Sequence, residues 1–163
     1  MSTFALPQKF QNWINKRNWG LHTHQIDVLT NSDRKSQLLI APTGSGKTLS
    51  GFLPTLIELD RVNFSGLHTV YVSPLKALAA DIKRNLMIPI EEMGLNIKVE
   101  DRTGDTTAKT KRRQRIDPPQ ILLTTPESLA LLISFPEANA LFAKLERIIT
   151  VSYTHLTLPT TYT

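Results

Sequence analysis

The sequence predicts an α/β domain in three layers, a parallel sheet with helices on both faces. Short apolar runs of strand length recur along the chain, stretches with helical spacing alternate with them, and a glycine-bearing loop joins the first run to a helix. Continuous apolar strands of this kind belong to sheets buried on both sides. The 163 residues suit one domain, and 40% hydrophobic with 20% charged residues is ordinary for a globular chain. No apolar run approaches the roughly 18 residues of a membrane span. Lys9, Lys16 and Arg17 stand among polar residues where a secretory signal would need an apolar core. With no cysteine, disulfides and thiolate metal sites are excluded, and a cytoplasmic location is expected. Nineteen basic against fourteen acidic residues leave +5, a mild tilt toward polyanionic partners.

Each element follows in order. Phe10, Trp13 and Ile14 share one face of a short amphipathic helix that Gly20 is expected to end. A second helix is expected over residues 24–29, broken by Asn31-Ser32-Asp33. Residues 37–41 (QLLIA) read as a buried strand, and a helix follows over 47–60. Residues 69–73, β-branched and aromatic, are the next strand, followed by a helix over 76–86 with Pro89 near its end. Residues 97–99 and 121–124 are expected as the third and fourth strands, with a polar, basic stretch from 102 to 115 between them. Short helices over 127–133 and 141–145 precede a fifth strand starting at 147–150.

The loop Ala41-Pro42-Thr43-Gly44-Ser45-Gly46-Lys47-Thr48 carries the most chemistry. It matches the phosphate-loop pattern G-x-x-x-x-G-K-[ST] except for alanine at its first position. Gly44 and Gly46 can take positive φ, which turns successive backbone N–H groups toward phosphates. The helix that follows adds its own free N–H groups and dipole. Lys47 supplies a point charge for β- and γ-phosphates, and Thr48 a hydroxyl for Mg²⁺.

With that loop in place, the remaining motifs stand in a familiar order. The chain resembles the first RecA-like lobe of superfamily 2 DExD/H-box helicases, most closely the large helicase-related group with its bacterial ligase-associated members. The resemblance covers about residues 4–150. It rests on GLHTHQ (20–25), APTGSGKT with GFLPTL behind it, YVSPLKAL (71–78), RTGDT (102–106), and DPP with ILLTTPE (117–127). It implies ATP and Mg²⁺ as cofactors, with Gln25, Thr43, Gly44, Ser45, Gly46, Lys47 and Thr48 around the nucleotide. Gln25 resembles the adenine-sensing glutamine of the Q motif, since a carboxamide can pair with adenine N6 and N7. Phe10, Trp13 or Trp19 either cover the base or belong to the core. The resemblance also implies that Ser73, Pro74 and Lys76, then Thr103 and Gly104, then Thr125 and Pro126 contact the backbone of one nucleic-acid strand without reading its sequence. Glu127 fits a helix cap better than an anionic strand. The run Lys109, Lys111, Arg112, Arg113, Arg115 is either a solvated helix face or a nucleic-acid fringe. His22 and His24 lack a third ligand and are expected to border the nucleotide pocket or its turn.

The family pattern places Asp-Glu after Val151, one carboxylate for Mg²⁺ and one for the attacking water. Here Ser152-Tyr153-Thr154-His155 follow, and Glu146 is the last acidic residue. Residues 151–163 hold two of the three tyrosines and no charge. They resemble a translated sequencing adapter, a non-native tail to be set aside. The expected organisation is therefore N-terminal helices over 1–36, a partial lobe over 37–150 truncated before the acidic (Walker B) motif, and that tail. The resemblance also implies that the strand after the acidic motif lies between the phosphate-loop strand and the acidic-motif strand, so losing it would leave inner edges unpaired. The function implied is that of the N-terminal, nucleotide-binding part of an ATP-dependent DNA helicase or translocase, whose second lobe follows in cis. Alternatives are an ATP-gated nucleic-acid clamp and a truncated chain with no activity. Hydrolysis by this chain is not expected.

Overall fold

A computed structural model describes residues 5–41 and 44–151. Two helices open the chain, α1 (Gln8–Lys16) and α2 (Thr23–Thr30). They are followed by α3 (Lys47–Arg61), β1 (Thr69–Val72), α4 (Lys76–Glu92), β2 (Val99–Arg102), α5 (Ala108–Ile116), β3 (Ile121–Thr124), α6 (Pro126–Ile133), α7 (Ala138–Phe142) and β4 (Arg147–Thr150). The four described strands form one parallel sheet in the order β2-β3-β1-β4.

Alternation along the strands sorts the core onto two faces. Tyr71, Ile121 and Leu123 face α3 and α4, whose Phe52, Leu53, Leu56, Ile82 and Leu86 complete the larger core with Phe10, Trp13 and Ile14 of α1. Val70 and Leu122 face the other way, onto Leu132 of α6 and Leu141 of α7. This is the three-layer arrangement that the strand composition predicts.

Several boundaries move, for physical reasons. The first helix stops at Lys16, and the reversal is made by Asn18 at φ 53°, two residues before Gly20. α4 continues through Pro89 to Glu92. The third strand runs Val99–Arg102 rather than 97–99, because Glu100 and Arg102 find partners on α5 that make a polar edge strand tolerable. The helix expected over 141–145 is α7, three residues earlier.

The largest departure is at residues 37–41, which form no strand. Leu38 and Ile40 are 86% and 84% exposed. A buried strand needs a ladder for its N–H and C=O groups, and no described strand lies beside this segment. β4, paired only with β1, likewise exposes Ile148. Among the described residues, β4 pairs with β1 alone and residues 37–41 pair with no strand.

Candidate nucleotide and nucleic-acid site

The orientation of α3 fixes where the phosphate loop sits. A Cβ built on Gly51 would lie 3.6 Å from Ile149, near the end of β4. Further along the helix, Thr55 Oγ1 lies 3.0 Å from Thr69 Oγ1 and accepts from Arg147 at 3.0 Å, at the beginnings of β1 and β4. The helix therefore runs antiparallel to the strands. Its N-terminus, with Gly46 and Lys47, lies at the carboxyl ends of the strands, the edge where open α/β sheets bind ligands.

Gly44 and Gly46 have φ of 79° and 74°, the positive values anticipated for them. Open space surrounds a built Cβ at Gly44, so a ligand has room to approach the backbone there. The positive φ at Gly46 favours glycine, and a Cβ there would stand 2.8 Å from Gln25 Nε2 and displace that carboxamide. The Lys47 ammonium donates to the Ala41 carbonyl at 2.6 Å, and Thr48 is half-buried in the first turn of α3. Thr43 lies outside the described residues.

Gln25 is 4% exposed, and its carboxamide is engaged at both ends. Oε1 accepts from the His22 N–H at 2.8 Å, and Nε2 donates to the Gly46 carbonyl at 3.4 Å. The residue ties α2 to the phosphate loop rather than standing open for a base. Beside it, His24 Nε2 lies 3.0 Å from the Ser45 carbonyl, and the His22 and His24 rings stack 5.4 Å apart. His24 was expected to border the nucleotide pocket or sit in the turn; its hold on Ser45 carried no local signal. Of the three aromatics, Phe10 and Trp13 are core, with Trp13 Nε1 donating to Glu92 at 2.6 Å. Trp19 is half exposed, edge-on to Trp13, with the Arg17 guanidinium 4.8 Å from its centroid.

The candidate strand-contacting residues gather at the same carboxyl edge. Val72 pairs with Thr124 and Thr124 with Arg102, so the next residues of each strand, Thr103, Thr125 and Ser73, stand in a row across β2, β3 and β1. The Ser73 and Thr125 hydroxyls bond within their own turns. Ser73 is buried and its Oγ accepts from the Leu75 N–H at 3.3 Å, holding its own turn. Thr125 caps α6, its Oγ1 accepting from the Ser128 N–H at 3.4 Å. Thr103 is buried, and its N–H donates to Thr106 Oγ1 at 3.0 Å. Pro74, Lys76, Gly104 and Pro126 are exposed. Lys76, first residue of α4, donates to Asp105 at 2.6 Å and holds that carboxyl below its usual range. Sequence spacing gave no sign of this pair, which joins residues on different strand-end turns.

Among the described residues no group of three or more His, Asp or Glu side chains is placed to hold a metal. Thr48 brings a hydroxyl to the first turn of α3. The loop itself fits a polyphosphate: two positive-φ glycines, open space, a helix N-terminus and a lysine.

A sequence profile of DEAD/DEAH box helicases matches residues 22–151. The chain belongs to the DEAD/DEAH box helicase family. Among its relatives, ATP-dependent helicase Lhr-Core of Methanocaldococcus jannaschii is 41% identical over 130 residues, covering 71% of this chain and 16% of the relative. Lhr helicase/uracil glycosylase of Escherichia coli is 41% identical over 116 residues, 60% of this chain and 8% of that protein. The chain thus spans about a sixth or less of the length of these two relatives. The structure of Mycobacterium smegmatis helicase Lhr bound to ssDNA and AMP-PNP superposes with TM-score 0.78 at 35% identity, covering 88% of this chain and 20% of that one. DUF1998 helicase MrfA bound to DNA and AMPPNP gives TM-score 0.77 at 30% identity, over 89% of this chain and 20% of that one. The α/β sheet of this DEAD/DEAH box chain is that of RecA-like helicase domains. No helix among the described residues is long and apolar enough to cross a membrane.

Proposed function

We propose that this chain is the nucleotide-binding part of the first lobe of an ATP-dependent DNA helicase or translocase, a cytoplasmic protein whose second lobe follows in cis. The observation that carries the reading is the meeting of two features at one sheet edge. The N-terminus of α3, with Gly44, Gly46 and Lys47, opens where Thr103, Thr125 and Ser73 form their row.

ATP with Mg²⁺ supplies the polyphosphate charge that such a loop is built to hold. Gly44, Ser45 and Gly46 present backbone N–H groups, Lys47 exchanges the Ala41 carbonyl for phosphate oxygens, and Thr48 offers its hydroxyl to the metal. Gln25 acts by holding Gly46. The strand contacts come from Gly104, from the α4 and α6 N-termini at Lys76 and Pro126, and from Lys76 once Asp105 yields. Such contacts read no sequence. DNA is favoured because the two solved relatives above were solved with DNA. Hydrolysis is not expected here, since Ser152-Tyr153 stand where the family pattern has two carboxylates.

A fluorescent ATP analogue titrated with Mg²⁺ tests the reading. Lys47→Ala should weaken binding about tenfold or more, the loss of a charge-assisted bond worth ~1.5–3 kcal/mol. Equal binding by the variant overturns the assignment of the loop. Strand-stimulated ATP turnover that Lys47→Ala abolishes would overturn the expectation that the chain hydrolyses nothing.

A further inference from the structure

An open groove of about 900 Å³ lies between α5 and α6, away from the phosphate loop. Six cations line it, Arg102, Lys109, Lys111, Arg112, Arg113 and Arg115, against one carboxylate, Asp117, which Lys98 already holds at 3.1 Å. Arg113 is matched by Glu100. Lys109 and Arg112 have no carboxylate within ion-pair distance among the described residues. Their spacing, with Arg115 three residues further, puts the three on one side of α5. The Arg115 guanidinium lies over the Phe135 ring, 4.0 Å from its centroid, in a cation–π pair.

Arg102 distinguishes the groove from a solvated basic helix. It is 3% exposed and has no carboxylate partner among the described residues. Nη1 donates to the Lys111 carbonyl at 2.9 Å and to Gln114 Oε1 at 3.3 Å. Its other nitrogens bond nothing in the described protein, yet no buried side-chain nitrogen or oxygen lacks a partner, so these donors reach the groove. Burial of a guanidinium without a counter-charge is costly unless an anion arrives. Burial first, and then Arg115, hold Arg102 below its ordinary pKa, the direction expected for an unmatched cation.

We propose that the α5–α6 groove is a second nucleic-acid site, in which a phosphate seats on Arg102, flanking phosphates meet Lys109 and Arg112, and a base stacks on the Arg115–Phe135 pair. A nucleic-acid strand is favoured over an acidic peptide by continuity. Ser128, on the groove wall, bonds Thr125, and Lys111 donates to the Gly104 carbonyl at 3.1 Å. Thr125 belongs to the strand-end row and Gly104 directly follows its Thr103, so a strand leaving that row enters the groove. The proposal rests on the row as a strand track, and its test separates the two.

Fluorescence anisotropy with two labelled oligothymidylates, one spanning the row alone and one long enough to enter the groove, provides the test. Lys109→Ala with Arg112→Ala, both on the exposed side of α5, should weaken the long oligonucleotide about tenfold at low salt. It should also lower the salt slope by about one to one and a half, leaving the short oligonucleotide unchanged. Arg102→Gln should show the same length selectivity, with circular dichroism to check folding and the surface pair to decide if it fails. Equal effects on both lengths, or none, overturn the proposal. So does polyglutamate of matched charge displacing the long oligonucleotide as well as unlabelled strand does, since the groove would then suit any acidic chain. If Lys76→Ala changes neither length while the groove variant still selects against the long one, the track fails and the groove stands.

Discussion

Around β3 every apolar side chain is covered: Ile121, Leu122 and Leu123 lie between two layers of helices, with strands on both sides. Beside the phosphate loop, the equally apolar QLLIA segment leaves Leu38 and Ile40 open to solvent. The two segments have nearly the same hydrophobic content and opposite fates. What separates them is a ladder. β3 has β2 and β1 to satisfy its backbone, while residues 37–41 have no described strand beside them, and apolarity alone does not make a strand.

The largest test of that contrast is a pair of truncations. Leu123→Ala should cost about 2–5 kcal/mol, the usual loss for a fully buried leucine. Leu38→Ala should stay within about 0.5 kcal/mol, like other surface changes. Urea midpoints compare them directly, and similar costs for the two would break the comparison.

A second test sits at the opposite edge of the same sheet. His68, just before β1, is buried against Thr69 Oγ1 at 2.8 Å, with the Glu58 carboxylate 3.4 Å from Nε2. Burial outweighs that attraction, Arg147 opposes it, and the ring is held below its ordinary pKa, neutral despite the nearby carboxylate. A folded value below the unfolded one, about 6.5, means that the contribution is complete above that pH. It is lost as pH falls through the depressed value. Urea midpoints should therefore decline on acidification below about 6.5, and His68→Gln should flatten the decline. A wild-type midpoint that rises over this range would show that pairing with Glu58 wins.

The smallest expected effect concerns the covered side of the carboxyl edge. Asp105→Asn removes the carboxylate that occupies Lys76, an exposed pair of little structural worth. The thermal midpoint should not move, while oligonucleotide binding tightens a few-fold. Unchanged binding would show that Lys76 does not meet the strand.

The glycine conformations of the phosphate loop were legible in the sequence, because positive φ at Gly44 and Gly46 follows from residue type and loop pattern alone. So were α1 and α3, whose buried faces follow helical spacing. The site's partners were less so. Thr125 read as a hydroxyl for a phosphate and Ser73 as part of a strand-contacting turn, and both hydroxyls bond within their own turns. Arg102 read as the first residue of a polar stretch, yet it is buried beneath α5 by contacts nine and twelve residues away. Lys76 and Asp105 meet across 29 residues. Local pattern records none of these, because each depends on which strand ends become neighbours.

Two consecutive residues of α2 grip two consecutive carbonyls of the phosphate loop, His24 at Ser45 and Gln25 at Gly46. A single contact would be a pivot, about which the loop could swing freely. Two in succession act as a clamp that resists rotation as well as separation. Any displacement of the loop would therefore be passed to α2, whose Leu29 is buried in the same core as α1. α1 and α2 are thus mechanically joined to the phosphate loop rather than laid over it.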